Sequence, residues 1–236
     1  MQLIKNGDLP VSSDRELIAQ YLPLQNSTLL ELGCGTAFAT RKISEAYPTV
    51  EIIATEVDRI QHEKNLQITD LPNVSFRYGG AEDIDAADAS VDAVIMLKSL
   101  HHVPVELMSK GFEEIARVLK PGGLAYISEP VYAGEFNDIL RLFNDEKKVR
   151  EAAFEAIQRA LNSGSFELAE EVHCKSVSRF EGFKDFEQRI LGATHSNFDV
   201  DDKLFEQIKA AFIPHIGNDG VAEFQNPLRV DILRRV

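Results

Sequence analysis

The sequence contains no tryptophan, only two cysteines and no long run of apolar residues. Cys34 and Cys174 are too few for a disulfide-rich scaffold or a four-cysteine zinc site. No stretch approaches the roughly 20 apolar residues that cross a bilayer, so we expect no membrane insertion. The N-terminal segment lacks the apolar core of a signal peptide. We therefore expect a cytoplasmic protein in a reducing compartment.

Positive charge is scarce as well. The 236 residues include 25 Lys and Arg against 38 Asp and Glu, which gives a formal net charge of −13. A field of this sign repels nucleic acids, so we expect no nucleic-acid partner. The length suits one large domain with a sizeable core, and a homodimer is compatible with it.

Short apolar runs alternate with amphipathic stretches over the first 130 residues, which predicts successive βα units around a parallel sheet. Strands are predicted at 28–32, 50–55, 74–78, 92–97 and 124–128, and helices at 12–21, 38–47, 59–68 and 106–119. Residues 135–161 are predicted as two amphipathic helices, which with the N-terminal helix form a candidate lid. Further helices are predicted at 185–191 and 201–212, an imperfect strand at 172–180, and a hairpin that turns at 225–227.

These elements predict one α/β domain over residues 1–236. Its core, residues 27–130 and 220–236, is a Rossmann-like, seven-stranded, mostly parallel sheet that ends in a C-terminal antiparallel hairpin. The remaining segment, about 131–219, is predicted as a helical cover over that sheet.

The strongest local signal is Gly33-Cys34-Gly35, a Gly-x-Gly turn between the first strand and its helix. Glycines let the backbone turn sharply and approach a ligand closely, and the next helix offers free N–H groups. Glu56 ends the second strand, where a carboxylate can accept hydrogen bonds from both ribose hydroxyls. The alternative for Glu56 is a helix N-cap, a role that Asp58 would fill at least as well.

These two features fit either a nicotinamide dinucleotide or S-adenosylmethionine. The dinucleotide fingerprint places a third glycine where this chain has Phe38. A bulky aromatic there favours the smaller cofactor, which has no pyrophosphate.

Five segments in order resemble the class I S-adenosylmethionine-dependent methyltransferases, especially the small-molecule type that includes the ubiquinone and menaquinone C-methyltransferases. They are the residues 30–36, Glu56, the GGAEDI stretch at 79–84, the DAVIMLKSLHHV stretch at 92–103 and ARVLKPGG at 116–123. The resemblance covers about residues 27–130 and implies S-adenosyl-L-methionine as the cofactor.

The resemblance also implies a role for each matching position. It assigns the methionine end of the cofactor to Glu31, to the turn Gly33, Cys34, Gly35 and Thr36, and to Leu97 or Lys98. It assigns the ribose to Glu56. The adenine is assigned to Val57 and to the stretch Gly80, Ala81 and Glu82. Two positions depart from the pattern. Ala37 stands where many relatives have glycine, and Gly80 where many have an aspartate against the adenine amino group. That contact would have to come from Glu82 or from a backbone carbonyl.

His101 and His102 follow the fourth strand, near the expected methyl group. Either imidazole is a candidate general base, since it titrates near neutrality. The alternative is that the pair anchors the start of the next helix. Glu129, at the end of the fifth strand, is a candidate to face the substrate cleft, and a packing or capping role fits it equally well. No metal site is expected.

The function predicted from the sequence is methyl transfer from S-adenosylmethionine to a small organic molecule. Three alternatives stay open: a methyltransferase acting on RNA or protein, an NAD(P)-dependent oxidoreductase, and a non-catalytic cofactor-binding protein. The methylated atom, whether O, N or C, is left undetermined.

Overall fold

The computed structural model describes residues 2, 4, 5, 7–192 and 198–236. Within them seven strands form one sheet in the order β3-β2-β1-β4-β5-β7-β6. The strands are β1 (Thr28–Leu32), β2 (Glu51–Glu56), β3 (Val74–Tyr78), β4 (Val91–Leu97), β5 (Leu119–Pro130), β6 (Phe166–Phe180) and β7 (Ala222–Arg235). Strands β1 to β5 are parallel, and β7 runs antiparallel to both β5 and β6. The Rossmann-like, mostly parallel sheet predicted from the sequence is confirmed.

Helices cover both faces of this sheet. They are α1 (Asp14–Tyr21), α2 (Phe38–Ala46), α3 (Arg59–Asn65), α4 (Met108–Val118), α5 (Glu135–Leu140), α6 (Lys147–Asn162), α7 (Phe183–Phe186) and α8 (Asp202–Phe212). One core joins α4 and α6 to the sheet, and a second joins α1 and α2 to the opposite face. The central strand β4 is therefore apolar at every position except Asp92, as expected for a strand covered on both sides. Among the described residues, no helix is both long and apolar enough to cross a bilayer.

The chain forms a crevice where the sheet order reverses. From β1 it proceeds to β2 and β3 on one side, and then crosses to β4 and β5 on the other. Open parallel sheets bind ligands outside the carboxyl ends of the strands at this point.

The segment 131–219 is not purely a helical cover, because it contributes the edge strand β6. Its apolar alternation is poor since the strand is open to solvent along much of its length, with Leu168 38% exposed. The helices α5, α7 and α8 instead pack a third apolar cluster with the ends of β6 and β7, around Phe180 and Phe224.

The turn predicted at 225–227 is wrong, because β7 continues through these residues. Pro227 would be expected to interrupt a strand, since it has no N–H to donate. Its carbonyl accepts from Val131 N–H on the β5 side, and the missing N–H would point to that same side. No hydrogen bond with β6 is lost, and the two antiparallel strands are β6 and β7, joined by the helical segment rather than by a tight hairpin.

Candidate functional site

A cavity of about 1630 Å³ opens at the carboxyl ends of β1, β2 and β4. The turn after β1 and the helix α1 face each other across it. Its lining includes every sequence-predicted cofactor residue: Glu31, Gly33, Cys34, Gly35, Thr36, Glu56, Val57, Gly80, Ala81, Glu82, Leu97 and Lys98. The exposed Phe38 also lines it, but no residue of 135–161 does. The lid predicted from α5 and α6 is therefore wrong for this cavity, whereas α1 does border it.

The glycine turn, residues 33–37, has a backbone that favours glycine. The φ angles of Gly33, Gly35 and Ala37 are 76°, 52° and 59°. A Cβ on Gly33 would lie 2.9 Å from Ser99 Cβ, whereas a Cβ on Gly35 would meet no atom within 4 Å. Gly33 is thus required by packing against the loop after β4, and Gly35 leaves open space in the cavity.

Glu56 sits beside this turn as a buried carboxylate. It accepts hydrogen bonds from three backbone N–H groups: Gly35 at 2.8 Å, Val57 at 2.8 Å and Asp58 at 2.9 Å. The N-cap of α3 is instead Asp58, which accepts from Ile60 N–H at 2.9 Å. The alternative interpretation of Glu56 as a cap is therefore wrong, and its carboxylate is held by the backbone at the cavity wall.

Glu31 is the second buried carboxyl of the site. Its Oε2 accepts from Thr40 Oγ1 at 2.6 Å. Burial raises the pKa of Glu31 to about 7, against the lowering effect of the Thr40 hydrogen bond, and the Glu56 charge adds to the rise. At neutral pH the group is therefore poised between its neutral and charged forms.

Asn65 was missed by the sequence reasoning. Its Nδ2 donates to Gly35 O at 2.8 Å and approaches Cys34 Sγ at 3.4 Å, while Gln61 Nε2 donates to its Oδ1 at 2.8 Å. The last residue of α3 thereby fixes the far side of the glycine turn. A single asparagine in a polar helix carries no signal by which this role could be found.

The loop after β3 brings Gly80 and Glu82 together. A Cβ built on Gly80 would lie 2.3 Å from Glu82 Oε2. The Glu82 carboxylate thus occupies the space that a side chain at position 80 would fill. Ala81, between them, is buried.

The end of β4 is tied to α1. Lys98, in a left-handed conformation with φ 57°, donates from Nζ to Asp14 Oδ2 at 2.8 Å. Asp14 Oδ1 accepts from the Tyr126 hydroxyl of β5 at 3.0 Å. This contact holds the first turn of α1 over the crevice, and pairing across such a sequence distance could not be read from the sequence.

The two histidines occupy different environments. His101 is buried, and its Nδ1 lies 2.5 Å from Glu129 Oε2, while Glu129 Oε1 accepts from Leu100 N–H at 2.9 Å. His102 is exposed and lines the cavity. Glu129, expected at the cleft, is instead the buried partner of the loop that carries both histidines.

A polar network extends from buried His101 toward the helical segment. His101 Nε2 lies 4.0 Å from Glu146 Oε2, and ring nitrogens of His101 and His102 and a carboxylate oxygen of Glu146 come within 4.8 Å of one another. Arg150 donates to the same Glu146 oxygen from Nε at 3.1 Å and from Nη2 at 2.6 Å. The guanidinium thus compensates the Glu146 charge.

Known proteins are similar to this chain both in the sequence around the cavity and in the fold. Residues 29–123 match a family described as "Methyltransferase domain". An uncharacterized methyltransferase-like protein of Schizosaccharomyces pombe is 34% identical over 118 residues, 49% of this chain and 43% of that protein. The arsenite methyltransferase of Halobacterium salinarum is 25% identical over 186 residues, 71% of this chain and 45% of that protein. The chain thus spans less than half the length of these relatives.

Solved structures agree on the architecture. The YcgJ protein of Bacillus subtilis superimposes with a TM-score of 0.62 at 18% identity, covering 94% of this chain and 97% of that chain. A SAM-dependent methyltransferase of Aquifex aeolicus gives 0.53 at 20% identity, covering 67% and 82%. These likenesses show the fold.

The Glu31 carboxyl predicts a pH-dependent stability. Between pH 4.5, its ordinary pKa, and about 7, the native state holds a proton that the unfolded state has released. The free energy of unfolding should therefore fall across this window, by about 3 kcal/mol in total. Glu31→Gln, whose amide oxygen can still accept from Thr40, should remove that loss.

Chemical denaturation of both proteins across the window measures the difference. The variant should match the wild type below the window and exceed it above. The exposed Glu51→Gln serves as the control and should keep the wild-type slope. Equal slopes for Glu31→Gln and the wild type would contradict the prediction.

Proposed function

Since the chain belongs to the class I S-adenosylmethionine-dependent methyltransferases, we propose that it transfers the methyl group of S-adenosylmethionine to a small organic molecule. The observation that carries this proposal is the Glu56 carboxylate, held by three backbone N–H groups next to the open face of Gly35. The matching domain over residues 29–123 supports it.

The residues of the cavity fit this cofactor. The cradle at Gly35 has room that a Cβ would take, and two carboxylates, Glu31 and Glu56, offer acceptors for an ammonium group and for ribose hydroxyls. Glu31 and the turn 33–36 would hold the methionine end and Glu56 the ribose, and Leu97 or Lys98 would approach the amino-acid end from β4. Val57, which is 56% exposed, would pack against the adenine, whose edge Ala81 and Glu82 would read.

The chemistry supplied by the bound cofactor is a methyl group already activated on a sulfonium. The protein therefore has to align the acceptor, exclude water and accept a proton where the acceptor releases one. His102 lines the cavity and is our candidate for that proton acceptor, and His101, held by Glu129, positions the loop that carries it.

A small acceptor agrees with a deep cavity and with the net charge of −13. Turnover with RNA or a protein substrate but with no small molecule would favour the macromolecular alternative. Binding of NAD or NADP in preference to S-adenosylhomocysteine, in a thermal-shift comparison, would favour the oxidoreductase. Cofactor binding without turnover on any acceptor would favour a non-catalytic binding protein.

Gly35→Val should abolish cofactor binding, because its branched side chain would enter the open space of the cradle. Calorimetry with sinefungin should give an affinity at least about 100-fold weaker than that of the wild type. The matched control is Gly164→Val: Gly164 also has a positive φ, 80°, and open space around its Cβ position, but it lies outside the cavity. That variant carries similar backbone strain and should bind normally. An unchanged affinity of Gly35→Val would count against the site.

Exchanging the residues at positions 80 and 82 tests adenine recognition. Glu82→Ala should weaken sinefungin binding by about tenfold, since a hydrogen bond to a charged group is lost. Gly80→Asp alone should also bind poorly, because its side chain would displace the flexible Glu82 carboxylate from its position in the loop. The double variant should recover most of the affinity. A double variant no tighter than Glu82→Ala would refute this role of Glu82.

Substitution of His101 and of His102 should have different effects on the kinetics. With an acceptor identified by release of S-adenosylhomocysteine, His102→Gln should lower kcat by about 100-fold or more and remove the acid limb of its pH profile. His101→Gln should keep that limb but lower Tm, because Glu129 loses its buried partner. If His102→Gln retained the wild-type profile, a catalytic role for His102 would be ruled out.

A further inference from the structure

Charged groups line both sides of the cavity. The walls built from β1, β2 and the loop after β3 present the carboxylates Glu31, Glu56 and Glu82. The opposite side, built from α1 and the end of β4, presents the cations Arg15 and Lys98 together with the carboxylates Asp14 and Glu16. Asp14 pairs with Lys98, and Glu16 belongs to the capping box of α1. Arg15 is therefore the cation on this side that can attract an anion from the cavity.

Of the two cations on the α1 side of the cavity, Lys98 is paired and Arg15 is available. Lys98 Nζ is 2.8 Å from Asp14 Oδ2, and the other Asp14 oxygen accepts from the Tyr126 hydroxyl. Arg15, the next residue on α1, is exposed and lines the cavity. Within the part of the chain that the structure describes, its guanidinium makes no hydrogen bond or ion pair. The five donors of this group suit a planar carboxylate, which it can bind through two parallel hydrogen bonds.

The remaining surface of this half has a polar part and an apolar part. The polar part is formed by Ser12, Ser13, Ser99 and Ser176, and the apolar part by Val11, Val103, Pro104 and Val177. Val177 comes from β6, at the far edge of the sheet from β2 and β3. This half therefore offers an apolar surface together with the cation Arg15, which suits an amphipathic anion.

We propose that the methyl acceptor is a small organic carboxylate with an apolar body, whose carboxylate binds Arg15 beside Lys98. This inference rests on the proposed function, because it names the acceptor of that reaction. The cofactor carries a carboxylate as well, so the test must separate the two sources. Asp14 disfavours a dianion at this wall, since its own charge lies against Lys98.

Calorimetry on protein saturated with sinefungin tests the acceptor. The probes are phenylacetate, benzoate and octanoate, each compared with its amide. At least one carboxylate should bind about tenfold more tightly than its amide, and Arg15→Gln should remove that advantage while leaving the amide unchanged. Arg141→Gln, an exposed helical arginine outside the cavity, is the matched control and should have no effect. If no carboxylate exceeds its amide, the proposal is wrong.

Asp14→Asn supplies a test of opposite sign. The amide oxygen can still accept from Tyr126, but the ion pair with Lys98 is lost, so carboxylate affinity should rise several-fold. A fall in carboxylate affinity, or no change, would overturn the proposal.

Titration with sinefungin alone shows whether Arg15 binds the carboxylate of the acceptor or that of the cofactor. If it binds the wild type and Arg15→Gln equally, the carboxylate recognised by Arg15 belongs to the acceptor. If Arg15→Gln weakens sinefungin, the residue serves the cofactor and the acceptor proposal is wrong. If sinefungin fails to bind the wild type, the proposed function itself fails, whatever the carboxylates do.

Discussion

The glycine turn is fixed by its neighbours on three sides. Gly33 and Cys34 donate their N–H groups to Thr55 O at 3.0 and 2.9 Å, Gly35 donates to Glu56, and Asn65 donates back to Gly35 O. These bonds join the end of β1 to β2 and α3. They hold the backbone in its positive-φ conformation before any ligand arrives, so the cradle is preorganised and binding need not pay for ordering it.

Much of the fold and of the site around the glycine turn could be predicted, because the sequence signals for them are local. Each parallel strand is a short apolar run between polar turns, and a residue directly after such a run must lie at the carboxyl edge of the sheet. Gly35 and Glu56 could therefore be placed together before the structure was known, whereas the role of Glu31 was implied by the family resemblance. The long helix pair at 135–161 followed from its apolar spacing in the same way.

What the sequence left open depends on contacts between distant segments. Asn65 and Asp14 have no distinguishing pattern, and each acts only because folding brings it to the turn or to Lys98. His101 and His102 are adjacent, yet the tight turn of helix that contains them rotates successive side chains by about 120°, so one is buried and the other faces the cavity. The sequence favours a turn at Pro227, because it does not show which neighbouring strand the missing N–H of this residue would face.

The cavity is lined by residues inside and outside the stretch that matches known methyltransferases. The walls within residues 31–82 and the end of β4 lie inside this stretch, whereas Arg15 comes from an N-terminal helix and Val177 from an edge strand, both outside it. Arg15 and Val177 take no part in the hydrogen bonds that fix the glycine turn. Substitutions at these two positions therefore change the wall of the cavity while leaving the cradle at Gly35 intact.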